Sequence, residues 1–254
     1  MWYSLKTVLT PTSWEAAWKA RSCPHSTFFA GGSYLVAERN PQVKTLIDLN
    51  KLLDRTIDAS DDQVRIGAGA PLQNFVEIIH QVQPQCQLIT AAKTSCPSKN
   101  IRQQRTFGGE IAQGRPDSEV LVFLHAVAAE LTIVTGQERT VSIREWDGDG
   151  IIKDITYRPR NLSGIALERY AVIPSAPAML IVGGVRREDR FEFVVGGRVE
   201  EINVYPLPVD QWSAEQATSL AEEASRLFHY DYLGTRAYKR ALLTVALQRV
   251  GAAL

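Results

Sequence analysis

The chain has 254 residues, 45% hydrophobic and 22% charged, which supports a packed core of two or three subdomains and excludes a disordered or low-complexity protein. Lysine plus arginine and aspartate plus glutamate number 28 each, so no overall charge draws the molecule to nucleic acid. No apolar run approaches the roughly 18 residues of a membrane span, and the opening "MWYSLKTVLTPTSWEAAWKARS" lacks the layout of a signal peptide, so the expectation is a soluble, cytoplasmic chain with no membrane span.

In chain order, "LKTVL" reads as a strand, and Thr12 with Glu15 forms a capping box that opens the helix "SWEAAWKAR". "STFFAGGSYLVAER" is a short apolar run that turns sharply at Gly31 and Gly32, followed by a short helical piece. "VKTLIDL" then closes a small βαβ unit at Asp48. Alternation from Asp54 to Gly67 predicts a hairpin turning at Ser60 to Asp62, and Pro71 opens a helix with Phe75, Ile78, Ile79 and Val82 on its core face. After a coil containing Pro97 come the glycine loop "RTFGGEIAQGRPDSE", the helix "SEVLVFLHAVAA" and the hairpin "ELTIVTGQERTVSI".

The last third predicts an antiparallel meander of three strands, "AMLIVGGV", "RFEFVV" and "VEEINVYPL", with "RRED" as a hairpin tip. Ser213 with Gln216 caps "AEQATSLAEEASRLF", and "RAYKRALLTVALQRV" carries a stripe through Tyr238, Leu242, Val245 and Ala246. Trp14 and Trp18, four apart on the first helix, belong to core or interface.

Cys23, Cys86 and Cys96 have no C-x-x-C spacing, and His25, His80, His125 and His229 are scattered. A zinc or iron–sulfur site within this chain is therefore not expected, and no G-x-S-x-G elbow supports hydrolysis. What stands out is the two glycine pairs, "FAGGSYL" at Phe29 to Leu35 and "TFGGE" at Thr106 to Glu110, each read as following a strand. A Gly-Gly step is either a tight turn or a cradle in which backbone N–H groups approach a phosphate.

Taken in order, "FAGGSYLV" with "LIDLNKL", "VRIGAGAPLQNFV", "NIRQQRTFGGEIAQGRPDSEVLVFLHAVAAELTIV" and "GTRAYKRALLTVALQR" resemble the flavin subunit of the molybdenum hydroxylases, the xanthine dehydrogenase and carbon monoxide dehydrogenase family. The resemblance implies an α+β fold: a two-subdomain FAD-binding fold, residues 1–52 and 53–162, followed by a C-terminal domain, residues 163–254, with a three-stranded antiparallel sheet. It implies FAD as cofactor, held by Ala30, Gly31, Gly32, Ser33, Tyr34 and Leu35 from the first loop and by Thr106, Gly108, Gly109, Glu110, Ser118 and Glu119 from the second. The implied partners are a molybdenum-cofactor large subunit and an iron–sulfur small subunit, with electrons leaving to NAD or another acceptor. No side chain is assigned as catalytic. The alternative of a different class is a flavin-free structural or assembly subunit.

The departures from the family pattern cluster on the ligand-holding segments rather than on the core. Ser33 and Tyr34 replace Thr-Asp, Arg105 replaces a glycine, Glu110 replaces an asparagine donor and Glu119 lengthens an aspartate. An ionised carboxylate only accepts, so Glu110 loses the donor and adds a like-charge cost of about 1–3 kcal/mol against a phosphate unless Arg105, Arg102 or Arg115 screens it. Glu110 is either an arginine-paired surface carboxylate or a cofactor contact. The link "EWDGDGIIKDITYRP" is also shorter than the family's, by about ten residues.

Overall fold

Three parallel strands organise the N-terminal segment of the computed structural model, which describes residues 2–82 and 86–254. β1 (Thr7–Leu9), α1 (Trp14–Ala20), β2 (Ser26–Phe29), α2 (Leu35–Glu38) and β3 (Thr45–Asp48) give a sheet in the order β1-β3-β2, as the βαβ reading requires. Helix α1 is capped by Ser13, whose side chain accepts from the Ala16 N–H, and not by Thr12. Trp14 and Trp18 pack with Ala17, Ile47, Leu49 and Ile151, so the tryptophan pair is a packing feature.

The middle segment builds a second sheet and covers it with helices. β4 (Ile57–Ala59) and β5 (Val64–Gly67) form the expected hairpin, followed by α3 (Leu72–Val82), α4 (Gln87–Ser95), α5 (Lys99–Arg102), α6 (Phe107–Gln113) and α7 (Glu119–Ala126). β6 (Glu130–Val134), β7 (Glu138–Ser142) and β8 (Ile151–Tyr157) complete a sheet in the order β4-β5-β8-β6-β7. Leu72, Phe75, Val76 and Ile79 of α3 are buried, but Ile78 lies on the flank of the helix and is 41% exposed; the side chain of Val82 lies outside the described part of the molecule. Phe75 meets Phe107 edge to face at 5.2 Å, which ties α3 to the start of α6.

The C-terminal sheet has four strands where the sequence suggests three. β9 (Gly164–Tyr170), β10 (Leu180–Arg186), β11 (Arg190–Gly197) and β12 (Asn203–Pro208) are antiparallel in the order β12-β11-β10-β9. β9 is hard to read because Glu168 and Arg169 interrupt its apolar alternation. One side of this sheet packs on α7 through Ile181, Val185 and Val194, and the other on α8 (Ala214–Ala224) and α9 (Arg236–Ala253) through Leu180, Val182 and Phe193. With both faces covered, β10 is apolar nearly throughout.

The buried stripe of α9 is Lys239, Leu243, Ala246, Leu247 and Val250, about one position round from the sequence reading. Of the expected positions only Ala246 is buried, and Tyr238 and Val245 are exposed. Lys239 is fully buried because its ammonium donates to the His229 carbonyl (2.9 Å) and meets Asp231 (2.8 Å), an arrangement that hides the true face from a hydrophobicity pattern.

Glu192 of β11, also buried, staples the sheet to the segment after β7. It accepts from Arg144 Nη2 (2.7 Å) and Arg190 Nε (2.8 Å), with Arg187 at 3.4 Å. Burial pushes its carboxyl up, but the hydrogen bonds from Arg144 and Arg190 and the surrounding positive charge outweigh that and hold it below the ordinary carboxylate value. A depressed folded-state pKa contributes stability that is present above the ordinary value and lost as pH falls through the folded one. Urea unfolding should therefore show Glu192→Gln destabilised by about 1–2 kcal/mol at pH 7, with the deficit shrinking as the wild type is titrated below its carboxylate range.

Candidate functional site

The chain turns at the carboxyl end of β2, and the second glycine motif comes up behind that turn. A Cβ on Gly31 would stand 1.8 Å from the Gln104 carbonyl oxygen and 3.3 Å from the Thr106 nitrogen, so the two segments lie back to back. Gly32 has φ +68°, and a Cβ there would strike the Phe29 ring at 2.4 Å. Asn50 holds the loop from the other side by donating to the Ala30 carbonyl at 3.1 Å. Both glycines of the first pair are thus demanded by packing and backbone conformation.

The same turn leaves donors unused. Among the described residues, no protein group accepts from the backbone N–H of Gly31, Gly32, Ser33, Tyr34 or Leu35, although the Gly32 and Tyr34 carbonyls accept from Val36 and Glu38. These five residues, with Ala30, line a cleft of about 280 Å³, near the lower end of the usual range for small-molecule sites. Thr106, Gly108 and Gly109 line it too, and Trp146, Gly148, Asp149, Gly150, Ile151 and Ile152 belong to the same lining. Consecutive N–H groups turned toward one space form an anion-binding nest.

The second glycine motif is not a loop after a strand. It is the first turn of α6, and it follows α5. Thr106 is the N-cap, accepting from the Gly109 N–H at 3.1 Å. Gly108 donates to the Ala68 carbonyl, and a Cβ on it would lie 2.8 Å from the Ala68 Cβ, so it too is a packing glycine. A Cβ on Gly109 would meet only Thr106 Oγ1, at 2.9 Å, which makes Gly109 the member of the second pair that is open to the cleft.

Glu110, Ser118 and Glu119 are not in this cleft. They line a second pocket of about 170 Å³ on the far side of Tyr34 and Arg105. Glu110 is only 1% exposed, which corrects the surface reading. It accepts from Ser118 Oγ (2.6 Å) and the Tyr34 hydroxyl (3.2 Å) and pairs with Arg105 at 3.5 Å. Burial pushes its carboxyl up, against the Arg105 charge and the hydrogen bonds from Ser118 and Tyr34. Burial, aided by the Glu110 charge, likewise raises the Tyr34 phenol well above its ordinary value.

Of the three arginines proposed to screen Glu110, Arg105 makes the direct pair. Arg102 turns away to Gln73 and the Cys96 and Pro97 carbonyls. Arg115 grips Asp117 with two hydrogen bonds (2.9 and 2.7 Å) and lies over the Tyr34 ring at 5.4 Å. Ser118 caps α7 while it donates to Glu110. Glu119 is held by Arg169 and by Ser95 at 2.8 Å.

The structure therefore divides the twelve sequence-derived candidates. Ala30 to Leu35, Thr106, Gly108 and Gly109 share the cleft, Glu110, Ser118 and Glu119 share the pocket, and Tyr34 lines both. Sequence reasoning did not name Trp146, Asp149 or Gly150 as lining. Their signal is the glycine–aspartate run "WDGDG", which the sequence alone presents only as part of a shortened link.

The family described as "FAD binding domain in molybdopterin dehydrogenase" matches residues 4–149. Two curated relatives, both called uncharacterized protein YgfM, from Escherichia coli K12 and O157:H7, are each 33% identical over 133 residues, covering 50% of this chain and 48% of theirs. The chain spans about half the length of the curated relatives it matches. Among solved structures it is similar to carbon monoxide dehydrogenase from Hydrogenophaga pseudoflava (TM-score 0.79, 20% identity, 98% of this chain and 96% of that one). Quinoline 2-oxidoreductase from Pseudomonas putida 86 gives 0.76 at 18% identity, covering 98% and 95%, and carbon monoxide dehydrogenase from Oligotropha carboxidovorans 0.75 at 17%, covering 98% and 98%. At these identities the structural likeness establishes the fold, and the family match, which spans both glycine motifs and reaches Asp149 in the cleft lining, establishes the rest: the chain belongs to the family of FAD-binding domains of molybdopterin dehydrogenases.

Proposed function

We propose that this chain is the FAD-binding subunit of a molybdenum hydroxylase-type oxidoreductase, taking electrons from an iron–sulfur subunit and passing them to NAD or another acceptor. The observation that carries the reading is the run of free N–H groups from Gly31 to Leu35 beside the open face of Gly109. Those donors fit a diphosphate, and Thr106 holds the α6 end of the cradle rigid through its cap. Bound FAD would supply the redox chemistry, while the chain's residues bind and orient it, so no acid or base side chain is needed. The division at residues 52/53 and 162/163 assigns the cradle to the first two segments and leaves the third, residues 163–254, to dock on them.

The partners in this reading are a molybdenum-cofactor large subunit and a small iron–sulfur subunit. The chain tagged in its own cells and purified gently should bring FAD and molybdenum in near-equal proportion to protein, with iron in at least about twofold excess because the smallest iron–sulfur cluster holds two irons. A colourless, metal-free preparation of the chain alone would favour the flavin-free structural subunit instead, a reading supported by the buried Glu110 network.

A further inference from the structure

Two side chains separate the two cavities. Tyr34 and Arg105 line both the cleft and the pocket beyond it. The Arg105 guanidinium lies 4.0 Å from the centre of the Tyr34 ring, donates from Nη1 to the Tyr34 hydroxyl (2.9 Å) and from Nε to Ser33 Oγ (3.2 Å). The hydroxyl in turn donates to Glu110, which Ser118 holds from the other side. Moving Tyr34 aside would take a hydrogen bond from a carboxylate that is almost fully buried and would bare the face of Arg105.

The pocket beyond offers an incoming group little in exchange. Its arginines already have carboxylate partners: Arg105 with Glu110, Arg115 with Asp117 and Arg169 with Glu119. The cleft is different, with the N–H nest in one part of its lining and Leu49, Leu53, Trp146 and Ile151 in another. A ligand confined to the cleft leaves the partition alone, whereas one that fills both cavities must break it.

The geometry points to a cleft selective for a nucleoside diphosphate, with the Tyr34–Arg105–Glu110 partition excluding the flavin half of a dinucleotide from the pocket beyond. This rests on the FAD reading above and sharpens it. The adenosine diphosphate half of FAD carries the affinity, the nest takes the phosphates, the apolar lining takes the base, and the isoalloxazine stays outside the second pocket.

The test is calorimetric titration of the intact chain with ADP, FMN and FAD. The expected result is dissociation constants for ADP and FAD within about tenfold of each other and FMN weaker by about 100-fold or more. Iodide should quench the emission of bound flavin nearly as well as that of free FAD. FAD binding more than about tenfold tighter than ADP, with its emission shielded from iodide, would overturn the inference and leave the FAD reading standing. Binding of none of the three would overturn that reading and the inference with it. Tyr34→Ser, which shortens the wall, should tighten FAD relative to ADP by about tenfold. The wild-type comparison decides the matter even where that variant folds poorly.

Discussion

Replacing Arg105 with leucine is expected to destabilise the protein by about 3 kcal/mol at pH 7, because it strands Glu110 as a buried charge with neutral donors only. For a chain of this size that corresponds to a fall in Tm of roughly 6–12 °C. Ser118 and Tyr34 still donate to the carboxylate, which places the figure at the low end for a broken buried pair. The double variant Arg105→Leu with Glu110→Gln should regain most of the loss, since an amide needs no counter-charge.

The pH dependence gives a second handle on the same pair. Glu110 titrates above its ordinary value in the fold, so the folded state disfavours its charge, and stability falls as pH rises from the ordinary carboxylate value of 4.5 through the folded one. Removing the Arg105 charge pushes the carboxyl further up. The Arg105→Leu deficit should thus shrink toward pH 4 and be largest at neutral pH, as urea midpoints at the two values would show. A deficit equal at both would mean that lost packing of the guanidinium on Tyr34, not charge, is responsible.

The second large effect separates the glycines by role. Gly31→Ala is expected to cost about 3 kcal/mol or more, because the methyl group would overlap the Gln104 carbonyl, a backbone atom with no room to retreat. Gly109→Ala should cost no more than about 1–2 kcal/mol, since it sits in the first turn of α6 and its methyl group meets only the Thr106 hydroxyl, which must shift from its cap. It should nonetheless weaken FAD by about tenfold or more by intruding on the diphosphate cradle. Thermal unfolding and FAD titration of both variants check this. Equal loss of stability at the two positions would contradict the assignment.

Much of this was legible in the chain. The order of the glycine motifs, the βαβ opening, the hairpins at residues 57–67 and 130–142 and the cap at Ser213 all follow from local chemistry. What the sequence does not show is which way a side chain turns. Glu110 stands one residue after a glycine that opens to the cleft, yet a step of one residue on a helix swings its carboxylate to the other side of the wall. Gly31, Gly32 and Gly108 line the cleft, but the need for glycine at each comes from Gln104, Phe29 and Ala68, contacts that arise only in the folded chain. In the same way Lys239 conceals the inner face of α9, because its partners Asp231 and the His229 carbonyl come from a loop packed against it.

The measurement that bears most directly on the account is the visible absorption spectrum of the purified chain after incubation with FAD and gel filtration. Flavin bands co-eluting with the protein near one equivalent, and greatly reduced in Gly109→Ala, are the predicted result. A wild-type protein that emerges folded but colourless, and that does not take up ADP either, would contradict it.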